Sequence, residues 1–444
     1  MSSDSAGDVA HTALDQAYGR FIAGDRDGAL RLAISVLEDA SFQVGAALLT
    51  VRVLAKEHRG IVAAEVAGRL VDAFVRRGDL ASAVVAARAI EDCGEKAQAH
   101  FAAIAKAFGK GSARVSDVSQ APPPLPASPG VSRALAKLKG EALGDRAEVA
   151  LAQLLAQDDP VAADTLLPKL PLVGALAPAV LERMLTALTV RDFAAECDVL
   201  RQGDEGREAF IVVRGALRAL RQGDDGSETT LALLGPGAIF GEMALVSDSP
   251  RAARINAIEE VTLLVAARDV LEQIAKSEPV LGAELASFCR GRMIGNLLRH
   301  SAILRAVAPS ERADLMGRFE TRTFAAGERL VEAGTEAEGL FLIASGTVRV
   351  SSEDADGDTI VLAHLGPGDV VGEISLVLRR PATADVTAEH ATIALELKRE
   401  QFHAAIKEHP TLLGELYELA TKREEETRSV VAQEALDASD FVIV

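Results

Sequence analysis

The sequence predicts an α+β multidomain protein: N-terminal all-α helical hairpins, then two tandem β jelly-roll domains with flanking helices. Three observations predict it. Landmarks between residues 178 and 279 recur at a constant offset of 131 positions: Pro178 at Pro309, Phe193 at Phe324, Gly203 at Gly334, Gly215 at Gly346, Gly235-Pro236-Gly237 at Gly366-Pro367-Gly368, and Pro279 at Pro410. A fixed period with no gap is the signature of a duplicated domain. Within each copy, short apolar runs such as Ala209–Val213 and Leu340–Ala344 are strand-like and glycines punctuate the chain at close intervals, as a many-stranded antiparallel barrel requires. Ahead of the copies, the chain is rich in Ala and Leu at helical spacing.

Residues 1–108 read as short amphipathic helices broken at Gly24-Asp25, Arg59-Gly60, Gly78-Asp79 and Gly94. Phe21-Ile22-Ala23-Gly24-Asp25 and Phe74-Val75-Arg76-Arg77-Gly78-Asp79 each precede an Ala-rich helical stretch, an arrangement that resembles the turn of tetratricopeptide-type repeats. The period and most aromatic markers of that repeat are missing, so an unspecialised helical bundle is the alternative. Residues 109–132 shift to Ser, Ala and Pro around Pro122-Pro123-Pro124-Leu125-Pro126 and read as an extended linker. Helical sequence resumes over 133–168, from Arg133 to Leu167. The first barrel domain is expected over 169–300 and the second over 301–435, with a tail at 436–444. Flanking helices are expected at Ala179–Leu188 and Ser310–Phe319 before each barrel, and at Arg268–Leu298 and Arg399–Gln433 after it. Glu424-Glu425-Glu426 reads as a solvated helical face.

Composition narrows the function. The formal charge of −18 over 444 residues argues against direct nucleic-acid binding, because Lys and Arg neutralising phosphates supply most of that affinity. No run reaches the roughly 18 apolar residues of a spanning helix, and Met1-Ser2-Ser3-Asp4 lacks the basic-then-apolar layout of a secretion signal, so a cytoplasmic location is expected with no membrane contact. Cys93, Cys197 and Cys289 are far apart and odd in number, which supports neither a disulfide frame nor a metal cluster.

The chemistry concentrates in one segment. Phe240-Gly241-Glu242-Met243-Ala244-Leu245 is followed by Pro250-Arg251-Ala252-Ala253. Gly241 permits a turn that other residues resist. Glu242 can accept a hydrogen bond from a sugar hydroxyl, and Arg251 offers a planar fork of donors to a monoanionic phosphate. Backbone N–H groups near Ala244 and Leu245 would face the phosphate if a helix begins after the glycine. The structural alternative is a plain strand-to-helix turn, with Arg251 on the surface beside Asp248.

The span from about Leu170 to Ala432 resembles the tandem cyclic-nucleotide-binding domains of protein kinase A regulatory subunits; single copies occur in catabolite activator protein and nucleotide-gated channels. In that family the Gly-Glu to Arg-Ala segment is the phosphate-binding cassette. The resemblance implies a first ligand site at Gly241, Glu242, Met243, Ala244, Leu245, Arg251, Ala252 and Ala253. A Ser or Thr after the arginine favours guanine in the family. Ala252 has no hydroxyl, so cyclic AMP is the expected ligand, with cyclic GMP conceivable.

The second copy keeps Gly372-Glu373-Ile374-Ser375-Leu376 but places Ala382 at the arginine position, followed by Thr383. Whether it holds a nucleotide stays open at this stage; Arg379 and Arg380 are conceivable substitutes. In the family a base-covering lid comes from the helix after the barrel or from the neighbouring domain; the resemblance makes Phe288, Asn296 and, for the second copy, Tyr417 candidates. No cofactor is expected.

Two rival classes are weighed. A metal-dependent jelly-roll enzyme needs clustered histidines on facing strands; the eight histidines form no close His-x-His pair in a barrel. A transcription factor needs a basic helix-turn-helix after the barrel; Leu412–Val444 is an acidic helix and tail. The expectation is a non-catalytic signalling adaptor in which a nucleotide-driven closure of the helix from about Leu281 to His300 reaches an unknown protein partner through the N-terminal helices. The alternative is a constitutive scaffold with ligand-free barrels.

Overall fold

A computed structural model describes residues 13–39, 43–57, 59–116, 131–162, 166–168, 170–222, 226–353 and 359–440. These fall into two compact units. The first comprises residues 1–201, 208–245 and 253–285; the second comprises 202–207, 246–252 and 286–444.

The first unit opens with six helices: α1 (Ala13–Ile22), α2 (Arg26–Asp39), α3 (Val44–Lys56), α4 (Gly60–Arg76), α5 (Leu80–Asp92) and α6 (Gln98–Phe108). The Gly-Asp pairs set two of the turns by local chemistry. Gly24 and Gly78 take φ of 83° and 72° after the preceding helix, a conformation glycine adopts without steric cost. The next residue then caps the following helix: Asp25 Oδ1 accepts from the Gly28 N–H and Asp79 Oδ1 from the Ser82 N–H, both at 2.9 Å. Burial of Asp79 raises its carboxyl pKa above the ordinary value. Ala-rich faces let these helices pack closely, with Ala33, Ala47, Ala67 and Ala86 fully buried.

α7 (Gly140–Leu155) packs on α2 and α4, and α8 (Pro178–Leu185) on α6. The chain here departs from the sequence reading. Residues 109–116, expected to belong to the linker, are tied to the core: Val115–Ser116 pairs in parallel with Leu167–Pro168, and the Lys110 N–H donates to the Leu176 carbonyl. Leu167 is therefore in a strand rather than a helix. The proline run at 122–126 lies outside the described residues.

The first barrel is two four-stranded antiparallel sheets. One has the order 189–193, 261–267, 208–214, 239–240; the other has the order 198–200, 254–257, 217–222, 228–234. Inward positions build a core of Val212, Leu217, Leu263 and Val265 around the stacked rings of Phe210 and Phe240, 5.1 Å apart. Within this unit the helices dock on the barrel through a buried ion pair. Arg52 of α3 donates to Asp192 Oδ2 at 2.7 Å, while Thr262 Oγ1 donates to Asp192 Oδ1 at 2.8 Å. Burial alone would lower the Arg52 pKa, but the charges of Asp192, Tyr18 and Asp92 and the hydrogen bond to Asp192 together outweigh it and hold the value above normal. Beside it, burial lifts Tyr18 to about 12, and the Arg214 guanidinium sits 4.1 Å from the Tyr18 ring centroid.

After the first barrel come α9 (Arg268–Ser277) and α10 (Pro279–His300). The helical stretch expected over Arg268–Leu298 is thus divided at Glu278, whose φ of −128° reflects the restriction a proline places on its predecessor.

The second unit contains α11 (Ala302–Arg305), α12 (Arg312–Gly317), the second barrel, α13 (Glu373–Leu378), α14 (Arg399–Glu408) and α15 (Pro410–Asp440). His409 before Pro410 breaks the second expected helix in the same way, and α15 runs past the expected start of the tail at 436. Residues 441–444 lie outside the described residues. The second barrel repeats the first strand by strand: its sheets run 320–324, 392–398, 339–345, 370–371 and 329–331, 385–388, 348–353, 359–365, each displaced by 131 positions from its counterpart. Its core gathers Phe324, Phe341, Ile343, Val371 and Ala382.

Candidate functional site

In the first unit, strand 239–240 delivers the chain to Gly241, which turns at φ 69°. A single 3-10 turn, Glu242–Leu245, follows, and the Ala244 N–H bonds back to the Gly241 carbonyl at 3.2 Å. The short helix imagined from the sequence is only this turn. Glu242 is 5% exposed and Ala244 3%; Met243 and Leu245 are half-buried.

In the second unit, Arg251 is 8% exposed. Its backbone is clamped to the loop 202–207: the Arg251 N–H donates to the Asp204 carbonyl at 2.9 Å and its carbonyl accepts from the Gly203 N–H at 2.8 Å. The guanidinium lies against Gly206, where an added Cβ would stand 2.6 Å from Nε and 2.7 Å from Cζ. Asp248 lies 3.8 Å from Arg207. Ala252 is exposed and Ala253 half-buried.

The second cassette lies wholly in the second unit. Gly372 turns at φ 87° and caps α13. Gly372, Glu373, Ile374, Ser375, Ala382 and Thr383 line one cavity of about 190 Å³, closed on another side by Arg423, Glu426, Thr427 and Val430 of α15. Leu376 is buried and is not part of the lining. Glu373 is 2% exposed. Arg423 donates to its carboxylate at 2.8 Å and to the Val370 carbonyl at 2.6 Å. Ser375 Oγ accepts from the Ala337 N–H at 3.0 Å.

Sequence reasoning missed this use of α15. Residues 423, 426, 427 and 430 follow the i, i+3, i+4, i+7 spacing of one helix face, so the signal was present but had no anchor. Part of the acidic run is also not simply solvated. Glu424, 15% exposed at its side chain, bonds Arg380 at 3.0 Å and Arg428 at 2.8 Å, which turns Arg380 away from the role of substitute cation. Of the lid candidates, Asn296 is exposed and accepts from Arg299 at 2.7 Å, Phe288 is half-buried, and Tyr417, 55% exposed, does not line the cavity.

Among the described residues no group of three or more His, Cys, Asp or Glu converges as metal ligands, and no helix is long and apolar enough to cross a membrane. Cys93, Cys197 and Cys289 are not joined in disulfides.

Residues 190–278 and 321–409 both match the cyclic nucleotide-binding domain. The chain is 30% identical over 208 residues to the cAMP-dependent protein kinase regulatory subunit of Dictyostelium discoideum, covering 46% of this chain and 61% of that protein. It is 26% identical over 215 residues to the type II regulatory subunit of Drosophila melanogaster, covering 48% and 53%. The chain thus spans less than two thirds of the length of these relatives. Among solved structures, the regulatory domain of Toxoplasma gondii protein kinase A with cAMP is similar at 25% identity and a TM-score of 0.27, over 57% of this chain and 92% of that one. The two barrels, residues 190–278 and 321–409, are thus each similar to the cyclic nucleotide-binding domain, and the chain carries the two matches in tandem.

Proposed function

We propose that this protein is a non-catalytic cytoplasmic regulator that binds a cyclic nucleotide, cyclic AMP in preference to cyclic GMP, in its first barrel and relays occupancy to a protein partner. The observation that carries the proposal is the first cassette itself. Within a family-matched domain, Glu242 and Arg251 are both withdrawn from solvent, on a glycine turn and at the family spacing. Arg251 is the counter-ion for the cyclic phosphate and Glu242 the acceptor for the ribose hydroxyl, with Gly241, Met243, Ala244, Leu245, Ala252 and Ala253 shaping the rest of the site. Losing a charge-assisted hydrogen bond costs about 1.5–3 kcal/mol, roughly ten- to hundredfold in affinity. The relatives' names make a protein kinase catalytic subunit the first partner class to test, through the N-terminal helices.

The second barrel supports a different reading for itself. It offers an alanine where the phosphate needs a cation, its glutamate already holds Arg423, and its cavity of about 190 Å³ is smaller than the roughly 300–1,000 Å³ usual for small-molecule sites. It therefore acts as a ligand-free structural copy, with Gly372, Glu373, Ile374, Ser375, Leu376 and Thr383 serving the fold and the docking of α15.

Titration calorimetry with cyclic AMP on the full chain tests both readings. Wild type is expected to bind at one site, with Glu242→Ala and Arg251→Ala each weakened tenfold or more. Equal weak heats from all three proteins would favour the constitutive scaffold instead.

A further inference from the structure

The two barrels differ at two positions that the structure places together. Arg251 and its counterpart Ala382 are held by the same backbone frame. The Arg251 N–H donates to Asp204 and its carbonyl accepts from Gly203; the Ala382 N–H donates to Thr335 at 2.8 Å and its carbonyl accepts from Gly334 at 2.8 Å. Each partner is displaced by the same 131 positions. Gly206 lies against the Arg251 guanidinium, and the residue 131 positions on is Ala337.

We infer that Gly206 is a positioning residue for Arg251, and that Gly206 with Arg251 and Ala337 with Ala382 are two size-matched pairs exchanged together. The inference rests on the proposed role of Arg251 toward the phosphate. A Cβ on Gly206 would lie 2.6 Å from Nε and 2.7 Å from Cζ, well inside the roughly 3.5 Å at which carbon atoms attract. Space, not backbone conformation, is the requirement, because Gly206 is not among the glycines with positive φ. The hydrogen at that position leaves the guanidinium its place against Gly206, and any larger group pushes it off. In the second barrel Ala337 is 4% exposed and Ala382, 8% exposed, belongs to the apolar core, so a methyl takes the sequence position that corresponds to the Gly206 hydrogen. Loss of the arginine and filling of its bed are one event in packing terms.

The test has a ligand arm and a ligand-free arm, both on the full chain. In calorimetry, Gly206→Ala is expected to lower cyclic AMP affinity at least tenfold while wild type binds; unchanged affinity overturns the inference. In thermal unfolding, Gly206→Ala is expected to lower Tm by several degrees when Arg251 is present and to leave it unchanged or raised in an Arg251→Ala background, since alanine in a permitted conformation restricts the unfolded chain. Equal shifts in the two backgrounds overturn it. Likewise Ala337→Gly is expected to recover part of the Tm lost by Ala382→Arg, and no recovery counts against the pairing. If wild type shows no cyclic AMP binding, the proposed function fails, while the thermal cycles still decide whether the two positions are coupled.

Discussion

Arg423 and Glu373 meet at 2.8 Å although 50 residues separate them, and the carboxylate in this pair is almost completely shielded from water. A lone buried carboxylate is costly, and one held by a guanidinium that also reaches a backbone carbonyl is tolerated. The pair therefore ties α15 to the cassette of the second barrel.

Removing one partner should expose that dependence. Breaking a buried pair costs about 3–5 kcal/mol, and the partial exposure of Arg423, 20% at its side chain, brings the expected loss for Arg423→Ala nearer 2–3 kcal/mol. Glu373→Gln should cost less, because the amide oxygen still accepts. Urea denaturation of both single variants and the double should give a coupling energy of about 2 kcal/mol; additive losses would show that α15 docks by other contacts.

How much of this was readable beforehand depended on how local the physics is. The barrels were legible because glycines and prolines dictate backbone conformation at their own positions, so Gly203 and Gly334, or Pro279 and Pro410, mark the same turn twice. The caps at Asp25 and Asp79 were legible for the same reason: donor and acceptor are three residues apart. The Arg52–Asp192 pair, 140 residues apart, and the Arg423–Glu373 pair were not, since each depends on which face of a helix meets a barrel. The pairing of Val115–Ser116 with Leu167–Pro168 was hidden behind a proline run that reads as linker. The first cassette was legible as a motif, while Gly206 was passed over because its approach to Arg251 is steric and comes from a different loop.

Arg52→Ala should be among the most damaging single changes in the first unit. It leaves Asp192, 17% exposed at its side chain, with the Thr262 hydroxyl as its remaining side-chain hydrogen-bond partner among the described residues, and removes a guanidinium that also covers the Phe21 ring at 5.0 Å. A loss of about 3 kcal/mol is expected, measured as a lower midpoint for the unfolding of helices α1–α6. Arg52→Met combined with Asp192→Leu should recover much of it, because no unpaired charge remains.

Acid sensitivity should appear at Asp159. Burial alone would raise its carboxyl pKa; the hydrogen bonds from Arg77, the Val161 N–H and Arg76 outweigh this and hold it below the ordinary value. Arg76 and Arg77 stand 2.7 and 2.8 Å away. A carboxyl whose folded pKa is depressed contributes stability that is present above its unfolded pKa, about 3.9, and lost as the pH falls through the folded value. Asp159→Asn should therefore be less stable than wild type at pH 7, with the difference closing as the pH falls below the unfolded value and through the depressed folded one. A gap that stays constant across that range would mean the ion pairs contribute nothing.

Base preference in the first barrel should respond to the residue after Arg251. Ala252 is exposed, so a larger side chain there meets no packing penalty, and a threonine would present a hydroxyl that guanine can bond and adenine cannot use equally. One neutral hydrogen bond contributes about 0.5–1.5 kcal/mol, so Ala252→Thr should improve cyclic GMP binding about three- to tenfold and leave cyclic AMP within about twofold. Competition between the two nucleotides on wild type and variant measures the ratio directly. An unchanged ratio would place the base out of reach of residue 252 and shift the choice between adenine and guanine to another part of the chain.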